Sequence, residues 1–150
     1  FVFLLNKVKG ANRTIDVETL LPEELHALCL ELNVPTVIVT LGEKGAFVSH
    51  NFKAHSLSSN AKGLAKTKYS LPHGESYYRI DAIQVQAVDT TGAGDAYCGG
   101  FAAGMIWHAG LVKSAVQTAT AVAALSVTKP GTAPAMPSRE EVLELLKRTN

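Results

Sequence analysis

The chain has 150 residues, 47% hydrophobic and 18% charged, with 14 Lys plus Arg against 13 Asp plus Glu and a formal net charge of +1. That is too apolar for a disordered chain and leaves no electrostatic footprint for nucleic acid. No apolar run approaches the roughly 18 residues of a membrane span, and two cysteines, Cys29 and Cys98, cannot build a disulfide scaffold, so a reducing, cytoplasmic setting is expected.

In chain order, Phe1-Val-Phe-Leu-Leu5 is continuously apolar and predicts a strand buried on both faces. Its start without Met or a preceding turn reads as the middle of something longer. Leu21-Pro22-Glu23-Glu24 opens a helix, with Pro near its first position and acids in its first turn. Leu25, Leu28, Cys29 and Leu32 form its apolar face. Thr36–Thr40 predicts a second buried strand. Gly42 and Gly45 bracket a tight turn, and Ala46-Phe47-Val48 resumes as a strand. From Lys44 to Gly74 there are five lysines and no acid, and residues 51–80 are expected to form a loop insertion.

Ile83–Val88 alternates apolar and polar residues and predicts a half-exposed strand. A glycine turn follows, and then a helix from about Ala93 to His108 whose Gly99, Gly100 and Gly104 permit close backbone packing. Leu111–Val127 predicts an Ala-rich helix, ended by Lys129-Pro-Gly131. Ser138-Arg-Glu-Glu141 is a capping box opening the last helix. Strands mixed with packed helices define a layered α/β domain.

The chemistry is concentrated in Asp89-Thr-Thr-Gly-Ala-Gly-Asp95. A glycine turn at a helix start leaves the N–H groups of Gly92, Ala93 and Gly94 facing outward, and with the helix dipole they form an anion site. Small residues there let a phosphate approach the backbone. Asp95 would repel that phosphate as a ligand, but beside it can take a proton from an attacking hydroxyl. A dinucleotide fingerprint would need glycine where Tyr97 stands, which argues against an α/β dehydrogenase, and no P-loop sequence occurs. The five histidines, His26, His50, His55, His73 and His108, show no metal spacing and read as surface or loop residues. Cys98 reads as buried packing, and Asn12-Arg-Thr14 as a glycosylation sequon without other signs of secretion.

These residues resemble the ribokinase-like, or PfkB, carbohydrate kinases. Asp89–Asp95 matches the family's signature throughout, Thr40-Leu-Gly-Glu-Lys-Gly45 is similar to its nucleotide-phosphate turn, and Val127–Pro134 to its C-terminal loop. The resemblance implies a three-layer ribokinase-like α/β fold with a mostly parallel sheet, of which residues 1–150 are the C-terminal, nucleotide-binding half. It implies transfer of the γ-phosphate of ATP to a hydroxyl of a sugar or small polyol, with a nucleoside as the close variant. Asp95 resembles the family's catalytic base, and Gly92, Ala93 and Gly94 its anion hole. Thr40, Gly42 and Gly45 resemble residues lining the ATP phosphates and ribose, and Thr120 the adenine pocket.

Asp89 and the carbonyls of Thr91 and Gly131 resemble part of a monovalent-cation (K+) site. Mg2+ would arrive with ATP, and Asn6 is the nearest candidate to organise it through water. Two departures stand out: Lys9 replaces the family's glutamate in the N-x-x-E motif, and Ala135 replaces a hydroxyl near the cation. The family grips its acceptor, and commonly dimerises, through the N-terminal half. The chain alone is therefore expected to phosphorylate a sugar poorly. The rival reading is a nucleotide-binding or regulatory relic without catalysis.

Overall fold

The computed structural model describes residues 1–51 and 76–149. Its contacts divide the chain into two compact units, Phe1–Leu41 with Phe47–Arg79, and Gly42–Ala46 with Ile80–Asn150.

The first unit begins with helix α1, Val2–Lys9, where a strand was expected. A continuous apolar run carries no periodicity, so period alone cannot separate a buried strand from a helix. Two local features decide for the helix. Gly10 takes a left-handed φ of 60° at the C-cap, and Lys7 and Lys9 lie in the last turn, where cations complement the dipole. Leu5 is buried, whereas Phe3, Leu4 and Val8 are exposed.

Helix α2, Pro22–Leu30, forms as expected. The Glu24 carboxylate accepts the Leu21 N–H at 2.9 Å, which satisfies one of the unpaired donors of the first turn. Strands β1 (Thr36–Thr40), β2 (Ala46–His50) and β3 (Tyr77–Ile80) form one sheet in the order β1-β2-β3. The link between β1 and β2, residues 41–45, is too short for a parallel crossover, so this pair is an antiparallel hairpin. The Asn51 N–H donates to Pro35 O at 2.9 Å across its open end. Most of the expected 51–80 loop, with His55 and His73, lies outside the described residues; its end, Tyr77–Ile80, is strand.

The core of this unit joins Leu25 and Cys29 of α2 to Val39, Leu41 and Phe47. Burial and the Ser49 hydroxyl act oppositely on the Cys29 thiol, and burial wins, pushing it up to about 11. It is therefore a protonated packing group at neutral pH.

His26 and His50 are not the surface or loop residues expected. His50 is buried on β2 with its Nδ1 3.1 Å from the Thr36 hydroxyl. His26 Nδ1 lies 2.8 Å from the Ser49 hydroxyl, and its ring lies against Tyr77 at 4.8 Å. Tyr77 in turn donates to the Glu23 carboxylate at 3.0 Å. Burial lowers the His26 pKa. A lowered folded value means that the fold favours neutral imidazole, so this contribution to stability is complete above the ordinary histidine pKa and is lost as pH falls through the lowered one. The stability advantage of the wild-type chain over His26→Gln is expected to shrink between pH 7.5 and 5 in urea titrations; an advantage that grows on acidification would contradict this packing.

The second unit is built on three helices: α3 (Ala93–Trp107), α4 (Val112–Ser126) and α5 (Arg139–Thr149). The expected Ile83–Val88 strand is absent: these residues have no strand assignment, and Val85 and Val88 are exposed. The Val88 and Asp89 N–H groups both donate to Val127 O, at 2.7 and 3.2 Å. Among the described residues this segment has no ladder partner to make it a strand.

Helices α3 and α4 meet through glycine. A Cβ on Gly100 would sit 2.8 Å from Val122 Cβ and 3.0 Å from Ala119 Cα, and one on Gly104 2.8 Å from Ala115 Cα. Gly104→Ala gains about 1 kcal/mol of helix propensity but crowds backbone, at a cost of about 1–3 kcal/mol; net destabilisation is expected. Gly99→Ala meets nothing within 4 Å and is expected to stabilise by about 0.5–1 kcal/mol. Thermal unfolding should show opposite signs, and a stabilised Gly104→Ala would refute the close contact.

His108, at the C-cap of α3, is a bridge rather than a surface residue. Thr118 donates its own proton to Ser114 O, so His108 Nε2, 3.0 Å away, is the donor to that hydroxyl. Cys98 is exposed, against the expectation of burial; Tyr97, Gly100 and Gly104 take the face toward α4, and Cys98 lies off it. The Ser138 capping box forms as expected, with Ser138 N–H to Glu141 at 2.7 Å and Glu141 N–H to Ser138 Oγ at 3.2 Å. Among the described residues no helix is long and apolar enough to cross a membrane.

Candidate functional site

The glycine turn leads directly into α3. Gly92 is its N-cap, with φ 78°, a backbone that side chains rarely adopt. Ala93, Gly94 and Asp95 are the first three helical residues. The first helical bond runs from Ala96 N–H to Gly92 O at 2.9 Å. The Ala93 N–H is not free as expected: it donates to Thr90 O at 3.2 Å. The donors left at this end are therefore those of Gly92, Gly94 and Asp95, for which the described residues supply no acceptor. Helix dipole and free N–H groups together suit an anion. The Asp95 side chain is exposed on the first turn, where a group arriving at the turn can reach it.

Asp89 sets the shape of the turn. Its Oδ1 accepts the Thr91 N–H at 2.9 Å, and its Oδ2 accepts the Gly131 N–H at 2.9 Å. Bonds from Thr91, then Gly131, hold its carboxyl below the usual range. Gly131 has φ 86°, and the next residue, Thr132, lies over Gly92: a Cβ on Gly92 would stand 3.0 Å from Thr132 Cγ2. Lys129 of the same loop pairs with Glu141 at 2.9 Å. Thr132 and the Gly131 N–H escaped the sequence reading; the available signal was the Pro-Gly pair, which marks a backbone needing positive φ.

The other expected site residues lie outside the glycine turn and the 127–132 loop in sequence. Thr120 is buried on α4, and its hydroxyl donates to Val116 O at 2.9 Å. Its neighbour is Tyr97, whose phenol burial pushes up to about 12. The one donor of Thr120 is thus satisfied within its own helix. Thr40 ends β1 in the first unit and is exposed. Gly42 and Gly45 belong to the second unit. Gly42 is exposed, with φ 56°, while Gly45 is buried with its Cα against Ile80 and Ala82 backbone. Gly45 has no room for a side chain.

The Asn6 amide is engaged locally. Its Oδ1 accepts the Arg13 N–H at 3.1 Å and its Nδ2 donates to Arg13 O at 2.8 Å, so both ends of the amide are engaged in closing the loop after α1. Lys9 lies on the same helix, in its last turn. Among the described residues no cluster of three His, Cys, Asp or Glu suits a metal ion. Asp89 keeps a spare lone pair on each oxygen, compatible with a monovalent cation beside backbone carbonyls.

Comparison with known proteins identifies the family. The pfkB family carbohydrate kinase pattern matches residues 14–139. A ribokinase of Haemophilus influenzae is 35% identical over 114 residues, which is 76% of this chain and 29% of that protein. Among solved structures, a ribokinase of Thermotoga maritima matches with a TM-score of 0.65 and 31% identity over 97% of this chain and 38% of its own. A ribokinase of Arabidopsis thaliana, complexed with ribose and ATP, matches with a TM-score of 0.63 and 30% identity over 95% of this chain and 38% of its own. The chain belongs to the PfkB family of carbohydrate kinases and has its ribokinase-like α/β fold. It spans about a third of the length of these relatives.

Proposed function

We propose that this chain carries the phosphate-binding turn and the base of an ATP-dependent kinase that phosphorylates a hydroxyl of a sugar or related small polyol. One observation carries this reading. The start of α3 offers the free N–H groups of Gly92 and Gly94 at a positive dipole end, with the Asp95 carboxylate beside them. The N–H groups stabilise charge developing on the transferred γ-phosphoryl group. Asp95 takes the proton of the acceptor hydroxyl as it attacks in line. ATP supplies the phosphoryl group, and the ribose- and ATP-bound Arabidopsis relative supports both ligand classes. A divalent ion would neutralise triphosphate charge, and no step here runs through it.

The test is phosphoryl transfer by the full-length gene product, with labelled ATP and a panel of sugars and nucleosides. Label appearing on a sugar or polyol supports the reading, and label confined to nucleosides moves the acceptor class. ATP binding without transfer to any acceptor would overturn it in favour of the nucleotide-binding relic.

A further inference from the structure

Asp89 lies next to the proposed phosphate site. Both carboxylate oxygens are engaged, one by Thr91 N–H and the other by Gly131 N–H, each at 2.9 Å. The first bond closes an Asx turn within the glycine segment. The second spans to a loop 42 residues further along the chain. Val127 O accepts two N–H groups from the same strip, Val88 and Asp89, so the two segments are joined at both ends of a short contact.

That contact ends on Gly92. The Thr132 methyl and Cβ cover its Cα closely enough that an added Cβ would come to 3.0 and 3.3 Å. Gly92 is the residue whose left-handed backbone aims the donors of α3. The Lys129–Glu141 pair ties the same loop to the first turn of α5.

Resting on the phosphate reading above, we infer that Asp89 is a positioning residue: it holds the 127–132 loop on the glycine turn, and through Thr132 fixes the Gly92 and Gly94 N–H groups in their phosphate-binding orientation. This is a different role from ligating a cation. A carboxylate is required because both oxygens must accept. In Asp89→Asn the amide NH2 faces an N–H donor, so one of the two bonds is lost. The α3–α4 interface contains no part of this clamp and should persist.

The experiment uses amide NMR on the whole chain, wild type and Asp89→Asn, with the non-hydrolysable β,γ-imido analogue of ATP as the probe, in KCl and in choline chloride. Without the analogue, Asp89→Asn is expected to speed hydrogen exchange at Gly131 or Thr91 by tenfold or more, with protection in α4 unchanged. With the analogue, the shift changes at Gly92 and Gly94 should require at least tenfold more ligand in either salt. Thr132→Ser, which removes the methyl over Gly92 and leaves both Asp89 bonds, should weaken the response to the analogue without altering exchange at Gly131. Wild-type affinity retained in Asp89→Asn would overturn the inference alone. A loss seen only in KCl would also overturn it, in favour of a cation ligand. Absence of any wild-type response at Gly92 and Gly94 would overturn the phosphate reading and this inference with it.

Discussion

In the full-length gene product, Asp95→Asn is expected to lower ATP-dependent phosphorylation of the acceptor by about 10²–10⁴-fold, the range that general-base catalysis supplies. Asparagine keeps the size and the hydrogen-bonding reach of aspartate but cannot take a proton. Asp95 is exposed in the first turn of α3, so the substitution disturbs no packing and Tm should change little. Removing a negative charge from a phosphate site should leave nucleotide affinity equal or tighter. The expected signature is therefore a fall in kcat with no loss of ATP binding. A parallel loss of binding and turnover would make Asp95 a ligand-organising residue instead of the base.

The second large effect is on stability. Gly45 has φ 89°, and a Cβ there would lie 2.1 Å from Ile80 O and 2.7 Å from Ala82 N. Neither neighbour is a flexible side-chain end; both are backbone, so the turn or the 80–82 segment must shift. Left-handed strain of about 1–2 kcal/mol adds to a steric cost of about 1–3 kcal/mol, so Gly45→Ala is expected to destabilise by about 3 kcal/mol or more. Gly42→Ala is the internal control. It has φ 56° and nothing within 4 Å, and should show only the strain, about 1 kcal/mol. Equal effects in urea titrations would show that the close approach at Gly45 is relieved at no cost.

The contrast between these glycines shows where the sequence is legible. Gly42 and Gly45 look alike as turn glycines, yet one faces open space and the other packs on a strand exit brought in from 35 residues along the chain. Long-range packing of this kind leaves no local signal. The same limit explains α1 and Cys98. A uniformly apolar run has no period to read, and the Gly-rich face of α3 has no amphipathic contrast to show which side Cys98 occupies.

What could be read was local. Pro22 with Glu23 and Glu24, the Ser138–Glu141 box, and the β-branched run Thr36–Thr40 each place an element within a residue or two of its observed bounds. The glycine turn was legible because its chemistry needs small residues in sequence order: a positive-φ N-cap, then open backbone, then an acid. The N–H count was not, since the bond from Ala93 to Thr90 depends on the turn's final geometry.

The central claim is that the start of α3 receives the terminal phosphates of a nucleotide. Titrating the non-hydrolysable β,γ-imido analogue of ATP into the 15N-labelled wild-type chain tests it most directly. The account predicts saturable amide shifts that are largest at Gly92 and Gly94. A saturating concentration of the analogue that moves no amide between Asp89 and Asp95 would contradict it.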